Sequence, residues 1–285
     1  MQLGGDTATP DARGALDRIT VERALAALRL PRSGRVYDLG LELHEDIPPG
    51  PATPFSRAFA VTPEGLGGTA EPYTYCAEVI HSNLHCGTHL DALIHVQAYG
   101  RIFGGGLAAE WRDDRAWKAH GAETIAPIVG RCVLLDVAGH QGVAALPDGY
   151  EVTVDDLRDV AAAHGLQVSA GDIVLVRTGK VRDYLTAPAA YGATEPGVGV
   201  DAAIWLYEQG MAVLGADNTG IEPLPFPDPA HTTHRAMLVE RGVHLVENLY
   251  LDEMTADGVG EALFVCLPLK IRGATGSWVR PIAIV

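Results

Sequence analysis

The chain has 285 residues, of which 47% are hydrophobic and 20% charged, and its formal net charge is −15. This composition is typical of a globular protein with a large core and excludes fibrous and disordered classes. Nucleic acids and anionic membranes are polyanions that would repel such a charge, so we expect neither as a partner. The N-terminal residues lack the basic-then-apolar order of a secretory signal, and no apolar run is long enough to span a membrane, which favours a cytoplasmic protein.

Residues 1–34 are predicted to form a tail followed by a helix, and residues 35–285 to form the main domain. The helix is expected over VERALAALRL, where Thr20 is a candidate N-cap and Leu25 and Leu28 share a face. The proline and glycine that follow this segment are expected to end it.

Two later segments contain the start and stop signals of helices. In the first, Thr153 precedes DDLRDVAAAHG as an N-cap, Asp156 stands at the third helical position, and Gly165 ends the pattern. In the second, Asp201 is expected to open the helix AAIWLYEQG, which Gly210 stops.

Hydrophobic patterning predicts the strands. RVYDLGLEL and YTYCAEVIHSNLH alternate, whereas RCVLLDV and DIVLVRTG are continuous apolar runs of the kind found in strands buried on both faces. The later strands are expected in MAVLGAD, GVHLVENL, ALFVCLPL and WVRPIAIV, with His244 facing outwards. Strands and helices mix without the strict alternation of a parallel barrel, so the sequence predicts a single α/β or α+β domain with a mixed sheet.

Two common ligand motifs are absent from the sequence. The four cysteines are scattered without a C-x-x-C pair, which is typical of reduced, mostly buried thiols and excludes a cysteine-based zinc knuckle. The glycines at 104–106 are not followed by a lysine–serine pair, so they do not form a phosphate-binding loop.

Polar side chains concentrate in HCGTHLDALIH, from His85 to His95. Imidazole and carboxylate groups are the usual ligands of zinc and manganese, and catalytic sites commonly combine three of them with water. His85, His89 and Asp91 could supply those ligands, because Gly87 permits a sharp turn between them. We also expect Asp91 to begin a helix that carries His95 one turn further, where it could act as a general base. The alternative is a chance cluster of structural histidines, since the chain contains 11.

Two segments further along the chain contain additional candidates. HTTHRAMLVERGVHLVENL includes His231, His234 and Glu247. Glu247 falls in an apolar strand pattern, where a buried carboxylate needs a cation, unless the side chain faces solvent at the strand end. GADNTGIEPLPFPDP follows a buried strand, and the carboxyl end of a strand is a common place for a site. There Asp217 and Asn218 could bind substrate or form an Asx turn.

The stretch from His85 to His95 resembles the H-x-G-T-H-x-D-x-P-x-H signature of the cyclase-like metal-dependent hydrolases, a superfamily that includes bacterial kynurenine formamidases and isatin hydrolases. The resemblance extends from about Val36 to Val285 and includes HLVENL and GATGSWVRPIAIV. It implies a swivelling β/β/α-type fold, a homodimer or homotetramer, and zinc or manganese as one or two ions per site. The chain departs from the pattern at Leu93, which replaces the proline. It departs again in the loop Pro48-Pro49-Gly50-Pro51, which lacks the tryptophan of kynurenine formamidases and so disfavours kynurenine-type substrates.

The resemblance also implies roles for individual residues. His85, His89 and Asp91 correspond to the ligands of one metal ion. Asp91 also corresponds to a bridging ligand, which together with His234 and Glu247 would hold a second ion. His95 corresponds to the catalytic histidine, and His231 is a weaker match to the second-metal histidine. With Asp217 and Asn218, His231 is a candidate for contact with substrate.

The expected function is hydrolysis of an amide, lactam or lactone of a small molecule. A metal would lower the pKa of a water molecule from about 16 towards 7, and His95 would serve as the base. Two alternatives stay open: a cyclase or dehydratase that uses the same metal as a Lewis acid, and a non-catalytic metal-binding protein. No G-x-S-x-G segment offers a serine nucleophile.

Overall fold

The computed structural model describes residues 13–48, 53–62, 64–66, 72–189 and 191–285. Its strands, in chain order, are β1 Val36–Asp38, β2 Ser56–Val61, β3 Ala77–His81, β4 His89–Asp91, β5 Ile128–Asp136, β6 Glu151–Val152, β7 Ile173–Arg177, β8 Gly197–Val198, β9 Val213–Ala216, β10 His244–Glu247, β11 Glu261–Cys266, β12 Gly276–Trp278 and β13 Ile282–Ile284. Its α-helices are α1 Val21–Ala27, α2 Val137–His140, α3 Val154–Ala163, α4 Val181–Thr186, α5 Val200–Glu208 and α6 Asp252–Ala256. The predicted tail up to residue 12 and most of the loop at 48–51 lie outside these ranges.

Nine strands form one mixed sheet in the order β1-β13-β11-β5-β7-β9-β10-β4-β12. The central run β5-β7-β9-β10 is parallel, and antiparallel strands flank it on both sides. The predicted α/β or α+β class with a mixed sheet is therefore confirmed.

The sheet curls until its two ends approach each other. β12 and β13 are separated by three residues in the chain, yet β12 is the last strand of the order and β13 the second. The short connection reaches both ends, because the Val279 N–H bonds to the Thr88 carbonyl beside β4 and the Leu39 N–H bonds to the Pro281 carbonyl. The closure brings the segment after β1 against the turn that precedes β4.

Both faces of the central strands are buried, which explains their continuous apolar runs. Val133, Val174 and Leu214 contact one core beneath α3 and α5, and their neighbours in sequence, such as Leu134 and Leu175, contact a second core inside the curl. Strands covered on both faces show no polar–apolar alternation, so the sequence predicts their existence but not which face each side chain takes.

Two predicted helix caps are confirmed, whereas α5 begins one residue before Asp201, with Gly199 as its N-cap. Thr20 accepts a hydrogen bond from the Arg23 N–H at the start of α1, and Thr153 forms a capping box with Asp156 at the start of α3. The helical face with Leu25 and Leu28 is exposed, however, and Ala27 is the residue of α1 that is buried.

Two local predictions are wrong. Asp91 does not begin a helix, because its backbone belongs to β4, where it pairs with Gly276 of β12, and a turn with the His95 N–H bonded to the Ala92 carbonyl follows. His244 does not face outwards, since it is 1% exposed and its Nδ1 lies 2.8 Å from the backbone oxygen of Asp91.

A hairpin of β2 and β3 lies outside the large sheet. Nearly all of its residues are exposed, including Phe59, Val79 and Ile80. The sequence predicts β3 but not β2, and the homodimer or homotetramer stays a prediction. Across the part of the chain that the structure describes, no helix combines the length and apolarity needed to cross a membrane.

Candidate metal centre

The strands β4 and β10 place three polar side chains on one face. They pair antiparallel, with His89 opposite Glu247 and Leu90 opposite Val246. Because side chains alternate along a strand, His89, Asp91 and Glu247 share a face while Leu90 and Val246 enter the core on the other side.

A tight turn before β4 sets the approach of His85. Gly87 has a φ of +60°, a left-handed conformation that glycine adopts without strain, and a Cβ at this position would also lie 2.3 Å from the end of the Leu43 side chain. Thr88 fixes the turn from the other side, since its hydroxyl donates to the Asn248 carbonyl and accepts from the Leu41 N–H. The turn expected from the Gly-Thr pair is thus present, and it brings His85 Nδ1 within 2.8 Å of Asp91 Oδ1.

The side chains predicted as ligands converge around Asp91. Nε2 of His234 lies 3.3 Å from Asp91 Oδ2 and 3.1 Å from Glu247 Oε1. Nε2 of His89 lies 3.1 Å from Glu247 Oε2 and 3.6 Å from Asp91 Oδ1. All five candidate ligands therefore meet in one cluster, and Glu247 is buried rather than facing solvent.

The chemistry of this cluster fits a divalent cation. His89 Nε2, Asp91 Oδ2 and Glu247 Oε1 are buried and have no hydrogen bond of good geometry among the described residues. Unpaired buried polar atoms are costly, whereas lone pairs that point at a common centre are what a metal requires. Ligand atoms of His89, Asp91 and Glu247 lie within 4.8 Å of one another, as do those of His85, Asp91 and His95.

The pKa values describe a centre with two anionic carboxylates. Burial acts to raise the pKa of Asp91, but the surrounding His95, His234 and His85 lower it well below its usual range. Burial and the neighbouring Asp91 likewise act to raise the pKa of Glu247, but His234 and His89 lower it overall. Both carboxylates are thus ionised at neutral pH. Without a cation, and despite burial, they raise the pKa of His89 and His234, whose added protons occupy the place of a metal's positive charge.

His95 lies at the edge of this cluster. Its ring stacks on His85 with centroids 3.9 Å apart, and its Nε2 is 3.9 Å from Asp91 Oδ2. Burial lowers the pKa of His95 to about 4, and the positive potential of His85 and His234 adds to this against the pull of Asp91. The imidazole is therefore neutral at pH 7, and with 29% of its side chain exposed it can accept a proton from solvent.

A cavity of about 270 Å³ lies against His85. The other described side chains that line it are uncharged and include Pro48, Cys86, Tyr184, Tyr191, Leu224 and Asn248. A small neutral molecule could be held there beside the cluster, because the cavity offers apolar and aromatic surface with a few polar groups.

The structure places two predicted substrate contacts inside the fold. Asp217 is fully buried, and its carboxylate accepts hydrogen bonds from the Thr178 N–H and hydroxyl and from the Gly179 N–H. Its bonds thus connect the end of β9 to the end of β7 rather than forming an Asx turn of its own. Asn218 is also buried and donates to the Pro196 carbonyl. Contact of either with substrate stays a prediction.

His231 does not join the cluster. It is exposed and lines a separate cavity of about 160 Å³ together with Glu222 and Asp228. Its role in substrate binding stays a prediction.

Sequence reasoning missed two partners of the candidate ligands. Glu222 lies 2.6 Å from Nδ1 of His234, and the Thr275 hydroxyl lies 2.9 Å from Nε2 of His85. Both residues stand in segments that the sequence singles out, GADNTGIEPLPFPDP and GATGSW, but only the fold brings them to the histidines.

Comparison with known proteins assigns the chain to a family. A family model described as "Putative cyclase" matches residues 37–223. The chain belongs to the cyclase family. This finding confirms the superfamily that the His85–His95 stretch predicts.

Individual relatives agree with this assignment. Kynurenine formamidase from Bacillus thuringiensis (strain Al Hakam) is 25% identical over 249 residues, covering 86% of this chain and 95% of that protein. The crystal structure of a novel cyclase matches with a TM-score of 0.87 and 29% identity, covering 96% of both chains. Isatin hydrolase A from Ralstonia solanacearum has the same fold, with a TM-score of 0.65, 24% identity and coverage of 98% of this chain and 99% of that one.

Proposed function

We propose that this cyclase-family chain is a metal-dependent hydrolase that cleaves an amide or lactam bond, or the related lactone, of a small neutral molecule. The observation that carries the proposal is the convergence of buried, unpaired ligand atoms of His89, Asp91 and Glu247 beside a neutral His95. The names of two relatives, a formamidase and an isatin hydrolase, describe hydrolysis of amide bonds and support an enzyme acting on this class of bond.

The proposed ligands divide into two sets. His85, His89 and Asp91 would hold one cation, and Asp91, His234 and Glu247 would hold a second where two are bound. A bound divalent cation would supply acidification of water and polarisation of the substrate carbonyl. Zinc and manganese both suit imidazole and carboxylate ligands.

His95 is the proposed proton carrier. As a neutral imidazole it accepts the proton of the attacking water while the new C–O bond forms at the carbonyl carbon. It then returns the proton to the leaving nitrogen or oxygen as the old bond breaks. The stack of His95 on His85 fixes the plane of its ring, so that its Nε2 stays on the side of Asp91.

The proposed substrate is compact and uncharged. Among the described residues that line the cavity against His85 there is no lysine or arginine. A substrate with an amino-acid head group would leave its charges unpaired there, at a cost of several kcal/mol.

The test begins with metal analysis of the purified protein, followed by assays with the metal found. Phthalimide, formanilide and dihydrocoumarin represent cyclic imides, formamides and lactones, and mass spectrometry identifies the product. Hydrolysis is expected to add one water to the substrate and to stop in chelator-treated protein. A product that has lost one water would instead identify a cyclising dehydratase, and full occupancy of the site without turnover of any probe would favour a non-catalytic metal protein.

A further inference from the structure

Glu222 lies outside the cluster of candidate ligands but contacts one of its members. It is 4% exposed, and its Oε2 lies 2.6 Å from Nδ1 and 3.1 Å from the backbone nitrogen of His234. One carboxylate oxygen therefore fixes both the ring and the start of the π-helical segment Arg235–Val239 that follows it.

The ring of His234 bridges Glu222 and the cluster. A carboxylate at this distance holds a proton on Nδ1, so Nε2 is the ring nitrogen left to bind a cation. Nε2 faces Oδ2 of Asp91 and Oε1 of Glu247, at 3.3 and 3.1 Å. Without a cation, burial acts to lower the pKa of His234, but the surrounding carboxylates raise it well above its usual range. The contact with Glu222 thus fixes the proton on Nδ1 and the direction of the nitrogen that would bind a cation in place of its own proton.

The backbone before Glu222 is held in a conformation that its sequence disfavours. Ile221 has a φ of +59°, which is unusual for a β-branched residue and costs about 1 to 3 kcal/mol. The neighbouring strand β8 enforces it, since the Val198 N–H bonds to the Ile221 carbonyl and a Cβ on Gly197 would lie 2.2 Å from Glu222. Strain of this kind is retained where a side chain must be aimed, and here the side chain that follows is Glu222.

We propose that Glu222 is a positioning residue that holds His234 with Nε2 directed at the metal site, and that it thereby sets the affinity for the cation bound by His234 and Glu247. The inference rests on the proposed function in taking this cluster as a metal site. It assigns a role to a residue of a separate segment, which touches neither the cation nor substrate.

The test is a titration of metal-free protein with cobalt(II), followed by absorbance and calorimetry. His234→Asn marks the binding step that depends on His234. Glu222→Ala is expected to weaken that same step about 10- to 100-fold, and Glu222→Gln, which keeps an acceptor, is expected to weaken it less. Asp201→Asn is the matched control, because Asp201 lines the same cavity as Glu222 and the substitution removes one negative charge, as Glu222→Gln does. It is expected to titrate like the unsubstituted protein.

A second measurement reads the Nδ1 proton directly. In zinc-loaded protein with 15N-labelled histidine, the signal that His234→Asn removes is expected to be that of an N–H at Nδ1. Glu222→Ala is expected to move this signal and to speed exchange of its proton with solvent, because the carboxylate that accepts the proton's hydrogen bond is gone. Glu222→Gln supplies both measurements if the alanine variant does not fold.

The outcomes separate the inference from the proposed function. A folded Glu222 variant that titrates and resonates like the unsubstituted protein overturns the inference and leaves the hydrolase proposal standing. An equal loss of affinity in Asp201→Asn also overturns it, because the effect would then come from the charge of the cavity. A protein that binds no cobalt at all overturns the proposed function together with the inference.

Discussion

Two pairs of buried acidic side chains differ in what surrounds them. Asp217 and Glu195 are fully buried, and each of their four oxygens accepts a hydrogen bond from an N–H or hydroxyl group of the fold. Asp91 and Glu247 are buried to the same degree, yet they face imidazole rings and each keeps one oxygen without a hydrogen-bond partner among the described residues. Burial alone therefore does not mark a ligand site, whereas burial with unpaired oxygens and converging imidazoles does.

Replacing aspartate by asparagine in each pair is expected to give opposite results, and the larger effect is expected at Asp91. Asp91→Asn is expected to lose metal and activity together, because the amide removes the charge shared by both proposed ligand sets. The loss of metal affinity should exceed the 10- to 100-fold typical of a residue outside the ligand shell. Elemental analysis after gel filtration measures it, with His89→Ala as a second ligand variant. Full metal content in either variant would contradict the ligand assignment.

His95→Ala is expected to separate metal binding from chemistry. The variant should keep its metal, because His95 lies at the edge of the cluster, while kcat falls by about 10²- to 10⁴-fold through loss of the proton carrier. Metal analysis and steady-state kinetics on one preparation check both points. Loss of metal together with activity would instead make His95 a ligand.

Asp217→Asn tests the other pair and is expected to act on stability. At pH 7 the Asp217 carboxylate is ionised, although burial raises its pKa to about 6 against the hydrogen bonds it accepts. An asparagine would turn an N–H group towards a buried donor, so we expect the free energy of unfolding in urea to fall by about 2 to 4 kcal/mol. Metal content should not change. Unchanged stability with a raised KM would instead support the substrate contact that the sequence suggests.

The sequence predicts local features of the fold well. The buried strands and the capped helix α3 follow from short patterns, and the Gly-Thr turn brings His85, His89 and Asp91 together within a few residues. The predicted helix at Asp91 is wrong because the backbone there forms β4, which pairs with β10 and β12. Pairing with strands so distant in sequence cannot be read from the local pattern. The outward His244 is wrong because alternation does not reveal that both faces of the sheet are covered.

Contacts between residues distant in sequence determine the part of the site that local patterns do not predict. His234 and Glu247 are proposed as ligands through the family resemblance. Their spacing in the sequence does not decide whether Glu247 binds a cation or faces solvent. The contact between Glu222 and His234 joins a loop after β9 to a π-helical segment 12 residues later, and no periodic pattern links them. Sequence therefore predicts which residue types could bind a cation, while the curl of the sheet determines which of them meet.

A further expected effect concerns the pH dependence of stability and the second carboxyl group, Glu195. Burial raises the pKa of Glu195 from 4.5 to about 8, despite the N–H groups of Thr219 and Gly220 that favour its ionised form. Between these two values the folded chain retains a proton that the unfolded chain has lost. The contribution of Glu195 to stability is thus fully present below pH 4.5 and is lost as pH rises through 8, with a slope of at most about 1.4 kcal/mol per pH unit. Urea unfolding of metal-free protein from pH 5 to 8.5 should show this decline relative to Glu195→Gln, whose side chain does not titrate. Parallel profiles for the two proteins would mean that Glu195 is ionised throughout, because the hydrogen bonds from its two backbone N–H groups outweigh the effect of burial.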